Sequence, residues 1–173
     1  MQKIFCGMSL GVLLFVAGCD LQNLADRISP LSAKPVATPS SKMLSPTALE
    51  KSVHEQVNKY RVSRKLPPLT LDSRIIEQAR IHSQNMANGK VPFSHNGFEQ
   101  RVDAIGKSIS YRGAAENVAY NLGFQEPDRN AVEGWIKSPG HRKNMEGDYN
   151  LTGIGIAKNA KGEYYFTQIF IRS

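Results

Sequence analysis

Apolar residues recur at helical spacing through Leu49, Val53, Val57 and Tyr60, and Thr47 with Glu50 offers a capping box at the start of that run. The pattern predicts a helix over residues 47–63. Leu66-Pro67-Pro68-Leu69 must then be extended, because proline lacks an amide donor and pushes the preceding residue out of helical geometry. Asp72 can cap a second helix with Ile75, Ile76, Ala79, His82, Ser83 and Met86 on one side, ending at Gly89. Phe98, Val102 and Ile105 predict a short third helix stopped by Gly106. A fourth begins near Asp128, behind Pro127, buries Val132, Trp135 and Ile136, and breaks at Ser138-Pro139-Gly140.

The carboxyl-terminal part changes period. Residues 151–157 and 163–171 are rich in Ile, Tyr, Phe and Thr and flank Lys158-Asn159-Ala160-Lys161-Gly162, a β-hairpin signal, and residues 117–120 can supply a third strand. The expected fold class is α+β, with helices packed on a small, mainly antiparallel sheet.

The first 18 residues carry Lys3 and then an apolar run too short to span a bilayer comfortably, the layout of a secretory signal. That segment ends in Val16-Ala17-Gly18-Cys19, which resembles a bacterial lipobox, so Cys19 is the expected lipidation site and fatty acyl chains the expected membrane anchor. Residues 19–45 are rich in Ser, Pro, Ala and Lys and read as a tether, leaving residues 46–173 as one folded domain. Cys6 leaves with the signal and Cys19 is consumed by lipid, so the mature domain has no disulfide. Asp20 resembles an inner-membrane retention signal, but the bilayer is left open.

A composition of 40% hydrophobic and 21% charged residues argues against both disorder and a multi-span membrane protein. Loss of Lys3 lowers the formal charge only from +7 to +6. The basic residues are scattered without an aromatic-interleaved run, which excludes nucleic acid as the expected partner and leaves anionic lipid or wall polymer. A monomer is expected.

One set of motifs points further. Leu66-Pro67-Pro68-Leu69 with Asp72, Ala79 with His82-Ser83 and Met86, Phe93-Ser94-His95, Glu116-Asn117-Val118-Ala119, Trp135 with Ser138-Pro139-Gly140-His141 and Asn144, Gly153 with Gly155, and Tyr165-Phe166-Thr167-Gln168 with Phe170 follow one another in a fixed order. This series resembles the CAP superfamily of cysteine-rich secretory proteins, antigen 5 and pathogenesis-related proteins. The resemblance implies a three-layer α-β-α sandwich with a central cleft lined by two histidines and two glutamates, which in some members hold a divalent cation. Those positions fall on His95, Glu116 and His141. The second glutamate, three residues after the tryptophan in eukaryotic relatives, is Ser138 here, and Glu133 is a poor substitute.

Two imidazoles and one carboxylate can hold zinc with water in the fourth place. A metal-free cluster, with Glu116 accepting from both imidazoles, is equally coherent. Loss of the fourth ligand favours weak or no metal occupancy. The expected function is a non-enzymatic envelope binding module whose cleft takes a small amphipathic lipid, sterol-like molecule or cell-wall fragment, as the resemblance implies. The alternatives are a zinc-dependent hydrolase with Glu116 as ligand or base, and a surface interaction protein. His82 reads as a packed core histidine, Trp135 as core, and His54 as a solvent-facing residue. Asn117, Asn144 and Gln168 read as loop-pinning groups. No nucleophile elbow or Ser-His-Asp spacing is legible.

Overall fold

The structure, a computed structural model, describes residues 45–173; the expected signal segment, Cys19 and the tether as far as residue 44 lie outside them. The elements run α1 (Pro46–Ser63), β1 (Thr70–Leu71), α2 (Ser73–Ala87), α3 (Phe98–Gly106), β2 (Gly113–Asn121), α4 (Pro127–Lys137), α5 (Pro139–Glu146), β3 (Leu151–Lys158) and β4 (Tyr164–Arg172).

Three local expectations need correction. Ser45, not Thr47, caps α1: its hydroxyl accepts the Ala48 amide at 3.3 Å, and Pro46 stands where a missing amide leaves no helical bond unmade. Glu50 therefore completes no box. It is buried, accepts both arms of the Arg80 guanidinium at 2.9 and 2.6 Å, and accepts the Ile156 amide at 3.2 Å. The second correction is α5, absent from the sequence reading: Pro139 forces Ser138 into an extended conformation, which ends α4, and then opens a new helix from its own first position. The third is His54, whose Nε2 stands 2.9 Å from the Leu69 carbonyl instead of facing water. Leu69 is followed by β1, a strand too short to leave a period of its own.

The sheet has the order β1-β3-β4-β2, with β1 parallel to β3 and the other pairs antiparallel. Side chains alternate between two cores. Ile154, Ile156, Phe166 and Phe170 pack with Leu49, Val53 and Val57 of α1, Val132 and Trp135 of α4 and Met145 of α5. On the opposite face Ile169 and Ile171 pack with Ile75 and Ala79 of α2 and Ile105 of α3. The result is the α-β-α sandwich. On either side of Ile154 the chain must let α2 approach the sheet: a Cβ on Gly153 would lie 2.3 Å from the Ile75 carbonyl carbon, and one on Gly155 2.2 Å from that of Ala79.

Polar groups inside the first core end on backbone. Arg61, 1% exposed, donates to the carbonyls of Pro67, Met145, Gly147 and Tyr149 at 2.7 to 3.2 Å, tying α1 to the extended proline segment and to the α5–β3 connection. Trp135 Nε1 donates to the Val118 carbonyl at 3.0 Å and Asn144 Nδ2 to the Glu116 carbonyl at 3.1 Å. These two side chains occupy the outer edge of β2, the last strand of the sheet, which would otherwise offer its main chain to another strand.

Candidate functional site

The site straddles that edge, fed by one residue from each layer. Glu116 lies in β2 opposite Ile169, so its carboxylate projects on the α2 and α3 side. His95 comes from the α2–α3 connection, which turns through Gly97 at a left-handed φ of 78° before α3 begins. His141 comes from the first turn of α5, in the other helical layer. Its placement depends on the Ser138-Pro139 break, and its carbonyl is held by Asn117 Nδ2 at 3.1 Å.

His95 Nδ1 is 2.9 Å from Glu116 Oε1, and the two imidazole centroids of His95 and His141 are 6.4 Å apart. Half of the His95 side chain is exposed (52%), whereas that of Glu116 is 2% exposed. Ser138 Oγ is 3.0 Å from His141 Nδ1. The structure thus brings His95, Glu116, His141 and Ser138 into one cluster. It keeps His54 away from it.

A fifth residue changes the chemistry. Arg101, buried on α3, donates Nε to Glu116 Oε2 at 2.9 Å and Nη2 to Oε1 at 2.8 Å, a bidentate pair. Its Nη1 reaches the Asn96 carbonyl at 3.0 Å and His82 Nδ1 at 3.2 Å. Since a guanidinium can only donate, His82 Nδ1 accepts, and the ring proton sits on Nε2, which donates to the Ser94 carbonyl at 2.9 Å. His82 is therefore a packed neutral imidazole. Burial holds its pKa below the ordinary value, and the Arg101 charge pushes the same way. Burial, and then the neighbouring His95, lower that of His141 as well. At neutral pH the cleft presents an internally neutralised Arg–Glu pair and a neutral His141 ring.

These donors do not fit a metal. Both Glu116 oxygens are engaged by Arg101, so a cation bound there would face a fixed guanidinium charge within a few ångströms. His95 Nδ1 is spent on Glu116 and His141 Nδ1 on Ser138. Two Nε2 atoms remain, and among the described residues no group of three His, Cys, Asp or Glu side chains is arranged to hold an ion. His95 meets Glu116 directly, His141 stands across from His95, and Arg101 supplies the positive charge at Glu116. The signal for Arg101 was present in the sequence as a charged residue on the apolar stripe of Phe98, Val102 and Ile105.

Beside the polar cleft lies an aromatic shelf. Tyr120 projects from the same side of β2 as Glu116; its ring is 6.2 Å from that of Phe93 and 5.3 Å from that of Tyr165. Phe93 and Tyr120 are exposed.

A helix-flanked small sheet with a histidine-lined cleft at its edge strand defines an α-β-α cleft protein. Residues 54–170 match the family described as CAP, the cysteine-rich secretory protein family, and the chain belongs to it. YkwD of Bacillus subtilis is 35% identical over 153 residues, 87% of this chain; the chain spans 57% of that relative's length. An extracellular protein from Bacillus anthracis that contains an SCP domain superposes with a TM-score of 0.59 at 27% identity, covering 75% of this chain and 44% of the other. An outer surface protein from Borrelia burgdorferi shares the fold, with a TM-score of 0.63 at 17% identity over 75% of this chain and 96% of its own.

Proposed function

We propose that this CAP domain is a non-enzymatic binding module of the cell envelope, anchored through lipid on Cys19, with a small amphipathic ligand as its cargo. The observation that carries the reading is the state of Glu116. A hydrolase needs a carboxylate free to bind metal or to take a proton from water. Here both oxygens accept from Arg101 and one also meets His95. Ser138 and His141 form a hydroxyl–imidazole pair, but the acid that would complete a triad is engaged elsewhere. What remains open is suited to binding: the Nε2 atoms of His95 and His141 as polar contacts, with Phe93, Tyr120 and Tyr165 as an apolar shelf. A lipid headgroup with its chain, or a wall fragment, matches that division.

Native mass spectrometry of the protein purified from its own host tests this. A diacylated amino terminus and a co-purifying organic ligand, depleted in Phe93→Ala, are expected. Stoichiometric metal without organic ligand would favour the hydrolase instead.

A further inference from the structure

An asparagine followed by glycine is prone to cyclise, because no side chain beside the glycine nitrogen shields the asparagine amide carbon from it. This dipeptide occurs twice in the chain, at Asn88-Gly89 and Asn96-Gly97. Both asparagines are exposed, and both glycines lie in the left-handed region, with φ of 68° and 78°. Their hydrogen bonds differ. At the end of α2 the Gly89 amide donates to the Met86 carbonyl at 3.0 Å, and Asn88 Oδ1 accepts from Gln84 Nε2 at 2.9 Å. In the α2–α3 connection the Asn96 amide donates to Ser94 Oγ at 3.2 Å, but among the described residues neither the Asn96 side chain nor the Gly97 amide has a hydrogen-bond partner. The Asn96 carbonyl, which belongs to the same peptide group as the Gly97 nitrogen, accepts from Arg101 Nη1 at 3.0 Å. A peptide that loses its N–H proton carries much of the negative charge on that oxygen, so the guanidinium stabilises the anion through a charge-assisted bond.

We propose that Asn96 is a site of spontaneous, one-way modification beside the cleft, promoted by Arg101 and converted to aspartate and its β-linked isomer while Asn88 is spared. Hydroxide takes the Gly97 amide proton, and the nitrogen forms a bond to Asn96 Cγ. The bond from Cγ to the side-chain nitrogen then breaks, and that nitrogen leaves as ammonia after taking a proton from water. Water opens the cyclic imide at either carbonyl. Each product places a negative charge beside Arg101, whose Nη1 also meets His82 Nδ1 at 3.2 Å, and the β-linked isomer adds a carbon to the main chain next to His95. The charge around Arg101 therefore changes with the age of the molecule, whichever ligand the cleft takes.

The test follows the purified full chain during incubation in warm, mildly alkaline buffer, by peptide mapping that detects the change from amide to acid and separates aspartate from its isomer. In the urea-unfolded chain the two dipeptides should react at similar rates. In the folded protein Asn96 should lead Asn88 by at least about tenfold, since two hydrogen bonds must open at Asn88 first. Arg101→Met with Glu116→Leu, in which an apolar pair replaces the ion pair, should slow Asn96 several-fold and leave Asn88 unchanged. Asn88 also reports on the fold of that variant, because its rate rises to the unfolded value if the domain melts. Either equal rates at the two sites of the folded protein, or an Asn96 that reacts as fast in the folded double variant as in wild type, would overturn the proposal. Asn96→Asp, standing in for the aged protein, should move the NMR signals of the His82 ring, and Asn88→Asp should not; an unmoved His82 ring would overturn the link to the cleft.

Discussion

Two buried arginines divide the molecule. Arg61 sits between α1 and the α5–β3 connection and directs its donors at four main-chain carbonyls, whereas Arg101 sits between α3 and β2 and directs its donors chiefly at one carboxylate. Carbonyls neither titrate nor move without the chain, so the Arg61 region is a fixed joint. Burial lowers the Arg61 pKa, yet a guanidinium stays charged at any working pH. The Arg101 region is made of side chains, Glu116, His82 and His95, held largely to one another. The candidate site lies beside the buried arginine that is balanced by another side chain.

The difference can be broken by rescue. Arg61→Met should cost about 4 kcal/mol, since it strands several buried acceptors, and no single second change can remove main-chain carbonyls. Arg101→Met should cost about 3 kcal/mol by leaving Glu116 buried and unpaired, but Arg101→Met with Glu116→Leu should regain most of that, because an apolar pair replaces an ion pair at similar volume. Denaturant melts of the four proteins, wild type included, check it. A double variant no better than Arg101→Met would mean that the pair holds the fold together as Arg61 does.

A smaller effect concerns pH. His82 and His141 both have pKa values below the ordinary 6.5, so the unfolded chain binds more protons than the folded one. Their contribution is complete above about 6.5 and is lost as pH falls through the lower folded values, so stability should decline on acidification in that window. Imidazole proton NMR should show both rings titrating below 6.5. Titration of His82 at or above that value would contradict the Nε2-protonated, Arg101-facing ring.

Much of this arrangement was legible along the chain, and the gaps have physical causes. The 3.6-residue recurrence of Ile75, Ala79, His82 and Met86 and the β-rich run before Arg172 report burial directly, and both elements lie where they were expected. Helix α5 was missed because Pro139-Gly140 serves two roles at once, ending one helix and opening the next. Thr47 and Glu50 satisfied a capping pattern that Ser45 had already made unnecessary, and Glu50 was drawn instead to Arg80 across the layers. For the site, family resemblance supplied His95, Glu116, His141 and Ser138. It could not supply Arg101, since the pairing of Arg101 with Glu116 spans α3 and β2 and no local spacing encodes it.

The central claim is that Arg101 takes the place of a cation in the cleft, and calorimetric zinc titration of wild type beside Arg101→Met tests it most directly. The account predicts wild-type binding weaker than about 1 μM, well short of structural zinc sites, and an affinity at least about tenfold higher in Arg101→Met, where Glu116 is released to join His95 and His141. Tight stoichiometric zinc binding by the wild type, lost in His141→Ala and unimproved in Arg101→Met, would contradict it.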